Sequence, residues 1–131
     1  MDKRLLLVDD EQPILDMLSA YFQEQTDWQV TIANSGEEAM NILFEKRFPI
    51  IVTDLKMPNM NGMDLCNRVR ETNPLSYIIA MTGYQDFFEL KKCRSAGFDD
   101  YFKKPFDFNQ LLEEVESAHR KMSRWDHTLT N

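Results

Sequence analysis

Glycine and cysteine are scarce in this chain, with four glycines and two cysteines among 131 residues. So few glycines, with acids at the key loop, disfavour a flavodoxin-like nucleotide or flavin binder, which needs a glycine-rich or hydroxyl-rich phosphate loop. Cys66 and Cys93 lie far apart, match no CxxC or metal-ligand spacing and fall on apolar positions of expected helices. Two buried, reduced thiols are therefore expected. No stretch approaches the roughly 20 apolar residues of a membrane span, and no N-terminal apolar segment is long enough for a signal peptide. A cytoplasmic location is the expectation. Positive charge is short as well: 15 Lys and Arg against 22 Asp and Glu give a formal net charge of -7. That balance repels phosphate backbones and anionic lipid surfaces, so neither direct nucleic-acid binding nor membrane binding is expected.

What the chain does have is enough apolar content, 43%, to fill the core of one compact domain. Short apolar runs alternate with amphipathic stretches, the pattern of strands joined by crossover helices. The runs Leu5 to Val8, Val30 to Ala33, Ile50 to Thr53, Tyr77 to Met81 and Asp100 to Lys103 predict five strands. LLLV, IIVT and YIIAM are apolar throughout, as central strands covered on both faces must be. Helices are predicted over Pro13 to Gln25, Gly36 to Lys46, Gly62 to Thr72, Tyr84 to Ala96 and about Asp107 to Arg124. Pro13 sits in an opening turn, Ser35 and Asp107 where N-caps belong, and Gly97 where a helix should stop. The fold class is α/β: a (βα)5 doubly wound, five-stranded parallel sheet of strand order 2-1-3-4-5.

In such a sheet ligands bind at the carboxyl ends of the strands, beside the point where strand order reverses. Asp9 and Asp10 end the first strand and Asp54 the third, so the three should converge in one crevice. Carboxylates that close repel unless a cation sits among them or some take up protons. A hard divalent ion suits them, and Mg²⁺ suits a site with few protein ligands because it keeps several waters. Asp54 would then be free to attack phosphorus. Thr82 and Lys104, at the ends of the fourth and fifth strands, could meet the phosphoryl oxygens with a hydroxyl and a charge.

VDDE after the first strand, TDLKMPNMNG after the third, MTG after the fourth and DDYFKKPF around the fifth together resemble the receiver domain of two-component response regulators. The likeness includes the single-domain chemotaxis regulators and covers residues 2–122. It implies that Asp54 is the phosphoacceptor, served by a sensor histidine kinase or a histidine phosphotransfer protein. It implies Mg²⁺ bound by Asp10, by Asp9 directly or through water, by Asp54 and by the backbone carbonyl of Lys56. Thr82 resembles the switch hydroxyl, Tyr101 the aromatic that follows it, and Lys104 the basic partner. The bond to Pro105 resembles the family's cis peptide, and Met57, Pro58 and Gly62 match the turn after the acceptor. Lys56 and Tyr84 occupy positions that tune phosphoryl lifetime. Phosphorylation would change the surface of the fourth helix, fifth strand and fifth helix toward a downstream protein, an output domain or a homodimer mate. Such a domain promotes its own phosphorylation and dephosphorylation yet is a signalling module rather than an enzyme.

Plainer readings stand beside these. Asp10 could cap the first helix, and a small Mg²⁺-dependent phosphohydrolase would also use an aspartyl phosphate. The latter usually carries a second Asp two residues after its nucleophile, where this chain has Lys56. A phosphorylation-independent binding module would be expected to have lost a site residue, and none is missing. Phe87 and Phe88 cannot both face the core, so one could contact a partner. His119 and His127 are expected to be solvated. Residues 123–131 read as a tail or the start of a linker to an output domain outside this sequence.

Overall fold

The computed structural model describes residues 2–83, 87–104 and 107–130, with side chains at 2–83, 90–104 and 107–125. The elements alternate as β1 (Arg4–Val8), α1 (Gln12–Gln25), β2 (Gln29–Ala33), α2 (Gly36–Glu45), β3 (Ile50–Asp54), α3 (Gly62–Thr72), β4 (Tyr77–Thr82), α4 (Phe87–Ala96), β5 (Asp100–Lys103) and α5 (Phe108–Thr130). The sheet is parallel, in the order β2-β1-β3-β4-β5. Both the α/β class and the strand order are those the sequence predicts.

The alternation of side chains along a strand divides the core into two layers. Leu6, Val8, Ile51, Ile78 and Ala80 point to one face, under Leu43 of α2, Leu65, Cys66 and Val69 of α3 and Cys93 of α4. Leu5, Leu7, Val52, Ile79 and Met81 point to the other, under Leu15, Leu18 and Phe22 of α1 and Leu111, Val115 and Ala118 of α5. A strand with helices on both faces has no room for polar alternation, and every residue of β3 is buried accordingly. Both cysteines are free and buried, and burial pushes the Cys66 thiol up to about 11, so it stays protonated.

Helix starts are set by local side chains. Ser35 Oγ accepts from the Glu38 N–H at 3.0 Å, with Glu37 and Glu38 in the first turn where the helix dipole favours them. Asp107 Oδ1 accepts from the Asn109 N–H at 2.8 Å. Gly97 follows α4 at φ 105°, the left-handed conformation that glycine adopts without strain. Helix α5 runs on to Thr130, beyond the expected end near Arg124.

His119 departs from its expected solvated state. It is half-buried and lies edge-on to Trp28 at 5.3 Å, and Trp28 is itself core, with Nε1–H donated to Glu116 at 3.0 Å. The side chains of Phe87, Phe88 and His127, and all of Tyr84 and Pro105, lie outside the described residues.

Arg70 closes the end of the molecule where the strands begin. Its guanidinium donates to the carbonyls of Gly97 (2.6 Å), Pro74 (2.8 Å) and Ser76 (2.6 Å) and to Asp99 (2.6 Å). Asp99 also accepts from the Ile78 N–H at 2.8 Å. One side chain thus ties α3 to the loops before β4 and β5. Arg70→Ala leaves several carbonyls and a carboxylate without this donor, and should lower unfolding free energy by about 2–3 kcal/mol. A urea titration would show this as a lower midpoint at unchanged slope.

Candidate functional site

Three strand ends build the site. Strand β1 delivers Asp9 and Asp10 just past Val8, β3 ends on Asp54, and Lys104 follows β5. Because β1 and β3 are neighbours in the sheet, one carboxylate oxygen from each of Asp9, Asp10 and Asp54 falls within 4.8 Å of the others. Asp9 is fully buried, Asp54 nearly so, and Asp10 is exposed. The Lys104 ammonium donates to Asp9 at 3.0 Å and lies 3.5 Å from Asp54, bridging two of the three acids.

The turns around the acids are fixed by backbone bonds. Asp9 Oδ1 accepts from the Glu11 N–H at 3.0 Å, and Glu11, the N-cap of α1, makes no side-chain capping bond. Asp9 rather than Asp10 therefore serves this turn, which leaves the exposed Asp10 facing solvent beside its neighbours. After β3, Leu55 N–H donates to Met81 at 3.2 Å and Gly62 N–H to Leu55 at 3.0 Å. Asn59 takes φ 67°, which asparagine tolerates better than most residues. A capping box of Asn61 and Asp64 then starts α3. Lys56, Met57 and Pro58 lie in this braced loop.

Burial drives the Asp54 carboxyl up to about 6; Lys104 opposes the rise, while Asp9 and Asp10 add to it. Burial works against the Lys104 ammonium too, but its bond to Asp9 and the attraction of Asp54 outweigh it and hold its pKa above the ordinary value. One cation beside three acids leaves negative charge uncompensated. All three carry hard oxygen ligands, so the cluster can hold a divalent cation of the Mg²⁺ type.

A pH dependence follows for the metal-free protein. A carboxyl with a raised folded pKa binds its proton more tightly folded than unfolded. Its contribution to stability is present below about pH 4 and is lost as pH rises through about 6. Asp54→Asn removes the charge, so in EDTA the variant should exceed the wild type by at most about 3 kcal/mol at pH 8, with the gap closing toward pH 4. Thermal melts across that range check it, and equal melting points at pH 8 would refute it.

Thr82 ends β4, buried, in register with Lys103. Tyr101 lies on β5 at the sheet's edge with 48% of its surface exposed. The Asp9–Lys104 pair was not anticipated, since the sequence suggested a phosphoryl contact for Lys104. Nor was the bond from Thr53 Oγ1 to the Asp54 carbonyl at 3.0 Å; no sequence pattern marks either.

The chain matches the model of the response regulator receiver domain over residues 5–116. It is 34% identical over 126 residues to the response regulator SaeR of Staphylococcus aureus, a match that covers 94% of this chain and 53% of that protein. The response regulator DrrB of Thermotoga maritima, an OmpR/PhoB homolog, matches with a TM-score of 0.83 at 30% identity, over 93% of this chain and 54% of that one. The chemotaxis protein CheY4 of Vibrio cholerae matches with a TM-score of 0.84 at 26% identity, over 90% of this chain and 99% of that one. The chain spans about half the length of the curated relatives it matches.

Proposed function

Because the chain belongs to the response regulator receiver domain family, we propose that it is a Mg²⁺-dependent switch in which Asp54 takes a phosphoryl group from a sensor histidine kinase or a histidine phosphotransfer protein. The observation that carries this reading is the meeting of Asp9, Asp10 and Asp54 within 4.8 Å, with Lys104 bridging two of them.

An Asp54 oxygen forms the new bond to phosphorus as the bond from phosphorus to the donor nitrogen breaks, and the donor histidine keeps that electron pair. Lys104 can turn its ammonium from the acids to the arriving phosphoryl oxygens, and the Thr82 hydroxyl is the group to close on them. Asp9, Asp10, Asp54 and the Lys56 carbonyl would hold Mg²⁺. When bound, the ion offsets the charge gathered by the carboxylates and the phosphoryl group.

Phosphorylation adds about -1.5 to -2 of charge at Asp54. A conformer in which Thr82 moves inward and Tyr101 follows is then favoured, and the surface of α4, β5 and α5 changes toward a downstream protein, an output domain or a second copy. The exposed Tyr101 is free to take part. The receiver unit is assigned to residues 2–122. Residues 123–131 are the tail or the start of a linker, and α5 runs through them as far as Thr130. With a histidine kinase or phosphotransfer protein as its donor, the domain would work in the cytoplasm; among the described residues no helix is long and apolar enough to cross a membrane.

The test is intact mass after incubation with Mg²⁺ and acetyl phosphate, beside Asp54→Ala. Gain of one phosphoryl group, absent from the variant and in EDTA, is expected. A folded, Mg²⁺-binding protein that gains none from acetyl phosphate or from any phosphohistidine donor would instead be a phosphorylation-independent binding module.

A further inference from the structure

The groove between α3 and α4 has a composition at odds with the chain's net charge of -7. It comprises two adjoining cavities of about 520 and 500 Å³ that share Met63 and Lys92. Its walls include Lys56, Lys91 and Lys92, the apolar Met57 and Met63, and Asn67, and no acidic residue lines either cavity among the described residues. The three lysines are exposed, while Met57 is buried and Met63 half-buried, so a basic rim surrounds an apolar floor.

From this charge complementarity we propose that the groove is a docking site for an acidic amphipathic helix of a partner protein. Such a helix would lay apolar side chains on the methionines and set carboxylates against the three lysines. Methionine floors accept differently shaped apolar side chains because the thioether chain has no branch and several soft torsions. Helix α3, of 11 residues, gives the groove a length of roughly 16 Å, enough for three turns of a docked helix. The chain's net charge of -7 works against non-specific adsorption of such a ligand.

The groove opens at Leu55 and Lys56, directly after Asp54. A helix seated there touches the loop that follows the carboxylate cluster, so occupancy reaches the cluster through one braced turn. Docking itself does not depend on whether Asp54 accepts phosphate, and failure of either idea leaves the other standing.

The probe is a short fluorescein-labelled helical peptide with leucine at every third or fourth position and glutamate elsewhere, followed by fluorescence polarisation and by amide shifts of the isotopically labelled full chain. Saturable binding is expected, with shifts centred on residues 55–63 and 91–96. Weakening of roughly tenfold or more is expected for Lys91→Glu with Lys92→Glu, both exposed and checked for an unchanged melting point. Lys46→Glu with Arg47→Glu, outside the groove, should leave the affinity as it was. No saturation, shifts centred elsewhere, or equal binding of the peptide with lysine in place of glutamate would overturn the proposal. Equal affinity for a DNA duplex would assign the groove to polyanions in general. A concentration-dependent dimer with shifts at the same residues would assign it to a second copy. Either result would overturn the acidic helix as its occupant.

Discussion

A Gly62→Ala variant is expected to lose about 3 kcal/mol or more of unfolding free energy, and with it roughly 10 °C of melting temperature. A Cβ built at position 62 lies 2.3 Å from the backbone oxygen of Asp54 and 2.9 Å from the Leu55 Cα. Both are main-chain atoms at the end of a buried strand, so no flexible side chain can swing away to make room. The approach is also what lets Gly62 N–H donate to the Leu55 carbonyl at 3.0 Å. Alanine must therefore push out either the start of α3 or the end of β3, and the second choice moves the Asp54 carboxylate itself. Molecules that remain folded should take up phosphate more slowly as well. Gly83→Ala is the matched control, since no atom of the described residues lies within 4 Å of a Cβ there, and its stability should stay within about 0.5 kcal/mol of the wild type. Urea unfolding of the pair decides the matter: equal midpoints for Gly62→Ala and Gly83→Ala would show that the turn yields without strain.

Lys104→Met is expected to destabilise the metal-free protein at pH 8 by about 3 kcal/mol, because it leaves Asp9 and Asp54 without their shared cation. The sign of the pH dependence comes from two groups. The raised pKa of Lys104 keeps the ammonium charged across the neutral range, and its contribution is lost only above the ordinary lysine value. Asp54 titrates near 6, so below that pH its carboxyl is neutral and has less need of the ammonium. The loss should therefore be larger at pH 8 than at pH 5. Mg²⁺ should restore part of it, since an ion among the carboxylates does some of what the lysine did. Phosphoryl uptake from acetyl phosphate should fall even with Mg²⁺ present, because the incoming oxygens lose a charged donor. Chemical unfolding at both pH values, with and without Mg²⁺, measures the effect. A loss independent of pH would mean that Lys104 acts through packing of its stem rather than its charge.

The parts of this molecule legible in the sequence are those set by local pattern. Unbroken apolar runs such as LLLV and IIVT mark central strands, and the acids that follow them mark strand ends. The general rule for parallel sheets then brings Asp9, Asp10 and Asp54 together without any knowledge of side-chain positions. Contacts between residues remote in the chain were not legible. Trp28 and His119 are 91 positions apart, and nothing in the basic, polar stretch around His119 shows that an indole covers it. Arg70 looks like any solvent-facing helix residue until Gly97 and Asp99 arrive beside it. Gly62 was readable as part of a turn, but its distance to the Asp54 carbonyl depends on how the loop folds back. Lys104 had its place beside the acids in the sequence, whereas its bond to Asp9 depends on a side-chain rotamer.

Main-chain pairing does not stop where β3 and β5 end. Leu55 N–H reaches the Met81 carbonyl at 3.2 Å and Lys104 N–H the Thr82 carbonyl at 2.7 Å, so the residue after each strand is still bonded to β4. Both amide protons are shielded from solvent deuterium for as long as the central strand keeps its partners. Exchange at these positions is expected to fall in the slow class governed by opening of the sheet, although each residue sits at the lip of a crevice. The chemistry-bearing rim thus shares the opening equilibrium of the interior, and its side chains can rearrange while the frame that aims them stays closed.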